Sequence, residues 1–575
     1  MYNRDLFSIV ALSGVVMVGC VGEAEGPSAD ALVERGDRYA QVLVTEPKVP
    51  EDVKLGKARE TAFGEEGNIS GSGRGSVGTR GFGLGAGGVG EKGLSVGSIG
   101  NIHGLGRGSG SGGGGRRALT PRKPSSESYQ SHGVNGFIDP SKDRFSTFAV
   151  DVDTASYTIA RRKLSQKKLP PAASVRVEEF INFFDYDYKT PKGRTPFDVD
   201  FEAAVSPFEP EKVLLRVGLQ GRVLDEGQRK PAHLVFLVDT SGSMNSPDKL
   251  GLAQRSLQIL VNQLRDGDTV ALCTYAGRVT EVLQPTGMEE RARIYQAIEG
   301  LRSGGSTAMA DGLETAYKLA YKTLKPGHIN RVIVLSDGDA NIGASSHDEI
   351  LRRIGHYTKE GVTLSTVGFG MGNYKDTNME QLANKGNGNY YYIDNERQAR
   401  RVFKDRLNST LQVIAKDVKI QVEFDPRAVE AYRLVGYENR DIADRDFRND
   451  AVDAGEIGAG HAVTALYELR LARGAMGRTA TVRIRHKKPQ GARASESSYY
   501  FDTKDIKGRF EETSLSLRLA TTAMALAEKL RGSDHAKKWE WSRIKGLVGK
   551  GEVLEKDENE LLGLVDISAQ LSEKM

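Results

Sequence analysis

Asp239-Thr240-Ser241-Gly242-Ser243 sets one carboxylate and two hydroxyls on alternate residues, directly after the apolar run Leu234-Val235-Phe236-Leu237-Val238. That run has the length and composition of a buried strand, and the polar residues open the loop after it. In an open parallel sheet such loops form the crevice where ligands bind. The atoms on offer are hard oxygens, which suit Mg²⁺ rather than zinc or copper. The same residue types also cap helices, so an ordinary capping loop is the competing reading of this segment taken alone.

Two further segments offer matching oxygens. Ser303-Gly304-Gly305-Ser306-Thr307 precedes an expected helix over Ala308–Leu324, so Thr307 presents a hydroxyl at a helix N-terminus. Ser336-Asp337-Gly338-Asp339 follows an expected strand at Arg331–Leu335, so Asp337 is a carboxylate at a second strand end. In a doubly wound sheet these loops open onto one edge.

The elements that must hold these residues are legible between His233 and Ala415, where strands and helices alternate. Strands are expected at Leu234–Val238, Thr269–Tyr275, Arg278–Leu283, Arg331–Leu335, Thr363–Phe369 and Asn389–Ile393. Ser246 and Pro247 read as an N-cap and first-turn proline of a helix whose stripe is Leu250, Ala253, Leu257, Leu260, Val261 and Leu264. Tyr390-Tyr391-Tyr392 reads as an inner strand with one ring exposed, and Arg397, Arg400 and Arg401 as a solvated helix face. Cys273, in an apolar strand, reads as a buried small hydrophobe.

On these residues the chain resembles a von Willebrand factor type A domain with a metal-ion-dependent adhesion site. That family carries D-x-S-x-S, a threonine five residues before a glycine, and an aspartate in a T/S-D-G pattern. Here these are Asp239, Ser241 and Ser243, then Thr307 before Gly312, then Ser336-Asp337-Gly338. The resemblance implies that Ser241, Ser243 and Thr307 coordinate Mg²⁺ directly, with Asp239 and Asp337 bound directly or through water. It implies that Mn²⁺ can substitute, and that an Asp or Glu carboxylate of a protein partner takes the open coordination position.

The flanks are β-rich. Expected strands at Phe145–Val150, Phe197–Val205 and Val213–Gln220 precede the α/β region, and others at Val418–Phe424, Tyr432–Gly436, Ala462–Leu471 and Thr479–Arg485 follow it. Neither flank looks complete alone, so the two are expected to meet in one β-sandwich with the α/β domain inserted between them. Helices are expected at Ala155–Leu169, Val175–Phe184 and Thr513–Leu530, with a last helical region from Trp539. The STFAVDVDTASY and VRVEEFINFFDYDY segments, with the region after Asn395, resemble the flanks of bacterial YfbK-like lipoproteins. Members of that group sometimes accompany AAA-type ATPases. Asp151-Val152-Asp153-Thr154 approaches the phosphotransfer pattern D-x-D-x-T/V, but Ala155 breaks it.

The chain opens with a secretory pattern. Leu6 to Val18 is apolar, about 13 residues, too short to span a bilayer. It ends Met17-Val18-Gly19-Cys20, which resembles a lipobox in which Cys20 is lipidated, although Met17 stands where leucine is preferred. Val21 after the cysteine points, by that resemblance, to the outer membrane of a Gram-negative envelope. An ordinary signal peptide or signal anchor is the alternative. The expected organisation is a signal at 1–20, a polar segment at 21–63, a Gly/Ser-rich tether at 64–124, flanks at 125–230 and 416–575, and the α/β domain at 231–415. A flexible tether of that kind spans roughly 40 Å. Gly83, Gly85 and Gly88 satisfy G-x-G-x-x-G there, but without a preceding strand or following helix.

Lys and Arg number 80 against 76 Asp and Glu, a net charge of +4, which is no footprint for nucleic acid. The expectation is therefore a lipid-anchored envelope binding protein that is not an enzyme and engages a protein partner through Mg²⁺. A structural scaffold and a metal-assisted hydrolase are the alternatives; for the latter, His347 and Asp339 lie near the right loops but no H-E-x-x-H or nucleophile elbow accompanies them.

Overall fold

The computed structural model describes Glu127 and residues 129–193, 195–306, 309–338, 347–370, 376–549 and 551–574. Cys20, the expected signal, the tether, Thr307 and Asp339 lie outside the described residues. The described chain divides into two compact units: residues 131–229 together with 408–574, and residues 230–407 with the few described residues before Ser131.

The second unit is a doubly wound α/β domain. Its six strands run in the order Arg278–Gly287, Thr269–Ala276, Ala232–Asp239, Ile329–Ser336, Thr363–Phe369, Tyr390–Ile393. All pair in parallel except the Arg278–Gly287 edge, which is antiparallel. Ala232–Asp239 is buried along its whole length, as a central parallel strand covered on both faces must be. This is why its sequence is a continuous apolar run rather than an alternation. Tyr390–Ile393 corrects the expectation for its three tyrosines on both counts: it is the edge strand of the sheet, not an inner one, and it is nonetheless buried at every position. All three rings are buried, with Tyr390 donating to Asp376 Oδ1 at 2.5 Å and Tyr392 to the Gly370 carbonyl.

One helix start is also corrected. The helix begins at Leu250, not at Ser246-Pro247. The Ser246 hydroxyl donates to Asp248 Oδ1 at 2.6 Å, so it is used inside a turn and caps nothing. Leu250, Ala253, Leu257, Leu260 and Val261 are buried as the stripe requires. Arg400 stands on an exposed helix face and pairs with Glu396 at 2.5 Å.

The first unit is a β-sandwich whose sheets draw strands from both flanks. Phe145–Ala149 pairs with Val413–Phe424, followed in the sheet by Arg478–Lys487 and Ala494–Asp502. In the other sheet Val213–Gly221 lies between Phe197–Val205 and Ala462–Leu471, with Val429–Val435 beyond. The inward residues of both sheets, among them Val422, Val482, Leu215 and Ala465, form one core. The outward face of the second sheet is covered by helices: Ala204, Leu214 and Leu466 pack with Phe180, Leu526 and Leu564 in a second cluster. Val213–Gly221 is consequently buried at every position. Among the described residues no helix is long and apolar enough to cross a membrane.

Candidate functional site

Asp239 is the last residue of Ala232–Asp239, and Ser336 ends the adjacent parallel strand. The register sets Val238 beside Leu335, and Asp239 beside Tyr275 on the other side. Three strand ends therefore deliver their loops to one edge of the sheet. Asp239 is fully buried, and three donors orient its carboxylate. Oδ1 accepts the Ser241 amide at 2.9 Å, while Oδ2 accepts the hydroxyls of Ser336 at 2.9 Å and Tyr275 at 3.2 Å. Burial pushes the Asp239 carboxyl above its ordinary range, and the nearby charge of Asp337 pushes it further in the same direction. A cation between the two carboxylates would relieve both effects.

Ser241 Oγ and Ser243 Oγ are 2.9 Å apart, Ser241 buried and Ser243 half-buried. The two hydroxyls share a hydrogen bond at that distance, which is also roughly the 2.9 Å edge of an octahedron whose ligands stand about 2.0–2.1 Å from a central Mg²⁺. Asp337 is buried and accepts the Lys249 ammonium on Oδ2 at 2.8 Å. Gly338, at φ +75°, turns the chain away and donates its amide to Ser336 Oγ at 3.0 Å.

The loop leading toward Thr307 is stitched to the D-x-S-x-S loop. The Gly304 amide donates to the Thr240 carbonyl at 2.7 Å, and the Gly242 amide to the Gly305 carbonyl at 3.0 Å. Gly305 has φ +93°, and a Cβ there would meet the Ala276 carbonyl oxygen at 3.1 Å. Gly312 has its own physical reason to be glycine. A Cβ at Gly312 would lie 3.0 Å from Tyr275 Cβ and 3.1 Å from Leu237 Cδ1, so glycine lets the Met309–Lys322 helix sit close on the strands that carry the site.

The structure thus brings together Asp239, Ser241, Ser243 and Asp337, while Thr307 lies outside the described residues. Tyr275, Ser336 and Lys249 also belong to the cluster. Ser336 could have been read from its place one residue before Asp337, whereas Tyr275 and Lys249 carry no local signal. Among the described residues no group of three or more His, Cys, Asp or Glu side chains is arranged to hold a metal ion. Any metal-holding capacity here therefore rests on two carboxylates supplemented by hydroxyls, a hard donor set of the kind magnesium takes.

The other candidates have structural employment. Asp151 and Asp153 are buried and engaged by Arg440, at 2.9 and 3.3 Å. Cys273 is fully buried, its thiol 3.5 Å from the Phe236 carbonyl and pushed up to about 12 by burial. His347 is the first residue of the His347–Lys359 helix.

Comparison with known proteins agrees with this architecture. The von Willebrand factor type A domain family matches residues 233–405, a further von Willebrand factor family matches 123–216, and the family described as "Uncharacterized protein YfbK, C-terminal" matches 409–571. The chain is 36% identical over 477 residues to the uncharacterized protein YfbK of Escherichia coli (strain K12), covering 77% of this chain and 81% of that one. It is 25% identical over 214 residues to sll0103 of Synechocystis sp., covering 37% and 50% respectively. A solved von Willebrand factor type A structure from Catenulispora acidiphila covers 63% of this chain and 88% of its own at 18% identity, with a TM-score of 0.38. The chain belongs to the von Willebrand factor type A proteins and, within them, to the group that shares YfbK's flanking regions and C-terminal domain.

Proposed function

We propose that the protein is a cell-envelope binding protein that captures a protein partner through Mg²⁺ held by Asp239, Ser241, Ser243, Thr307 and Asp337. Von Willebrand factor type A membership supports an interaction or adhesion role in general. The observation that carries the finer reading is the convergence of two buried carboxylates and two hydroxyls at adjacent strand ends, with the serine oxygens 2.9 Å apart. Magnesium keeps readily exchanged positions when protein groups do not fill its octahedron. A partner's Asp or Glu side chain is the natural occupant, because it brings an anionic hard oxygen to an exchangeable position of a hard cation. In this reading lipidation at Cys20 anchors the protein to the outer membrane, and the Gly/Ser-rich segment spaces the folded part from it. The reading is of binding rather than catalysis: the described residues around Asp239 act as oxygen donors and supports, and Cys273 is a packing residue.

The test is capture from envelope extract with residues 125–575 as bait, in Mg²⁺, in EDTA, and with Asp239→Ala in Mg²⁺. A partner retained only by the wild type with Mg²⁺ is the expected result. Equal capture in all three lanes would assign binding to the β-rich unit and leave the metal loop a structural role.

A further inference from the structure

Lys249 reaches the candidate metal site by a route the fold keeps open for it. It precedes the Leu250–Gln263 helix and is itself largely buried. Its Nζ lies 2.8 Å from Asp337 Oδ2. Its aliphatic stem crosses Gly370, just beyond the strand next to the one that delivers Asp337. A Cβ at Gly370 would fall 2.3 Å from Lys249 Cε and 2.5 Å from Cγ, and φ there is +73°. Tyr392 pins this glycine by donating to its carbonyl. Three separate segments thus cooperate to aim one ammonium at one carboxylate oxygen. The contact is a built feature and not a surface lysine that folded inward by chance.

The charge arithmetic gives this contact a consequence. Asp239 and Asp337 carry two negative charges, and Lys249 returns one. Of these three groups alone, a divalent ion seated there would bring the formal charge to +1, whereas without the lysine it would be zero. Like charges so close in a buried setting repel strongly.

We propose that Lys249 is a tethered cation that shares Asp337 with the divalent metal, weakening metal binding while keeping the loaded site positive for an anionic partner. The inference rests on the metal reading above and adds its regulation. Lys249 is in this sense a positioning residue: it acts on the metal through Asp337.

The test measures Mn²⁺ alone, by calorimetric titration of wild type, Lys249→Met, Lys249→Arg and Asp239→Ala, with Tm in EDTA and in Mn²⁺ as a second readout. Methionine keeps an unbranched stem across Gly370 and removes the charge. Lys249→Met is expected to bind Mn²⁺ about tenfold tighter than wild type, and Lys249→Arg, which retains the charge, to bind it more weakly than Lys249→Met does. In EDTA, Lys249→Met should melt below wild type, because Asp337 loses the ammonium facing it. Added Mn²⁺ should then raise its Tm by more than it raises that of wild type, as tighter binding requires. Should Lys249→Met fold only with metal present, release of Mn²⁺ to a competing chelator gives the same comparison. Unchanged or weaker Mn²⁺ binding by Lys249→Met, with Asp239→Ala inactive in binding, overturns the inference and leaves the metal site standing. Absence of Mn²⁺ binding by wild type overturns both.

Discussion

The Ser336 hydroxyl donates to Asp239 Oδ2 at 2.9 Å, and Ser336 Oγ accepts the Gly338 amide at 3.0 Å. One side chain thereby fixes both the aspartate of the first loop and the turn that carries Asp337. Supporting groups of this kind hold ligands in orientation, and losing one typically costs about 10–100-fold in metal affinity. Ser336→Ala is expected to weaken Mn²⁺ binding by about tenfold while Asp239→Ala abolishes it. Calorimetric titration of the two variants beside wild type decides this. Equal affinities for Ser336→Ala and wild type would remove Ser336 from the site.

Gly312 presses on Tyr275 and Leu237 with no room for a branched side chain. Gly312→Val must push the Met309–Lys322 helix off the strands that bear Asp239 and Tyr275. Overpacking of this kind costs roughly 1–3 kcal/mol, so the variant should show a lower Tm. Its Mn²⁺ affinity should also fall, because the helix begins just after Thr307. A variant with unchanged Tm and unchanged affinity would show that the close approach is not needed.

Much of this site was legible because its parts are local. A fully buried parallel strand needs an unbroken apolar run, and Leu234–Val238 supplies one that stops abruptly at Asp239. The inserted arrangement was legible too, since each flank offers strands without enough partners. What escaped reading depends on contacts distant in sequence. Lys249 acquires meaning only through Gly370 and Asp337, and Tyr275 only through the register that sets it beside Asp239. Ser246-Pro247 looks like a cap until Asp248 is seen to take the hydroxyl. Ala494–Asp502 was missed because its first five residues, Ala494 to Ser498, are small or polar, as befits an edge strand with one face toward solvent.

The shared sandwich makes the N-terminal flank dependent on the C-terminal one. Val213–Gly221 pairs along its length with Ala462–Leu471, and its side chains are buried at every position. A chain ending at Leu407 would expose that strand on one edge and lose the helices covering Leu214. Limited proteolysis of such a truncated chain should degrade residues 131–229 rapidly, whereas the full chain resists there. Resistance of this segment in the truncated chain would show that the N-terminal flank folds alone.

Glu178 gives the sandwich unit a pH dependence of definite sign. It is buried at the start of a short helix, and its Oε2 accepts the Tyr437 amide at 3.0 Å. Gly436, at φ +83°, permits the approach, since a Cβ there would meet that oxygen at 2.6 Å. Burial holds the carboxyl at about 7 against an ordinary 4.5, with Glu438 and Asp151 adding repulsion. The folded state therefore keeps a proton that the unfolded chain releases above pH 4.5. Stability from the neutral form is fully present below 4.5 and is lost as pH rises through about 7, a loss of about 3 kcal/mol when complete. Glu178→Gln keeps an acceptor for Tyr437 and cannot ionise. It should match wild type within about 1 kcal/mol at pH 5 and exceed it by about 2 kcal/mol at pH 8. Urea unfolding at both pH values, followed by a probe in the sandwich unit, makes the comparison. A variant less stable than wild type at pH 8 would mean that the ionised carboxylate is itself held by favourable contacts, so that the fold favours the charged form.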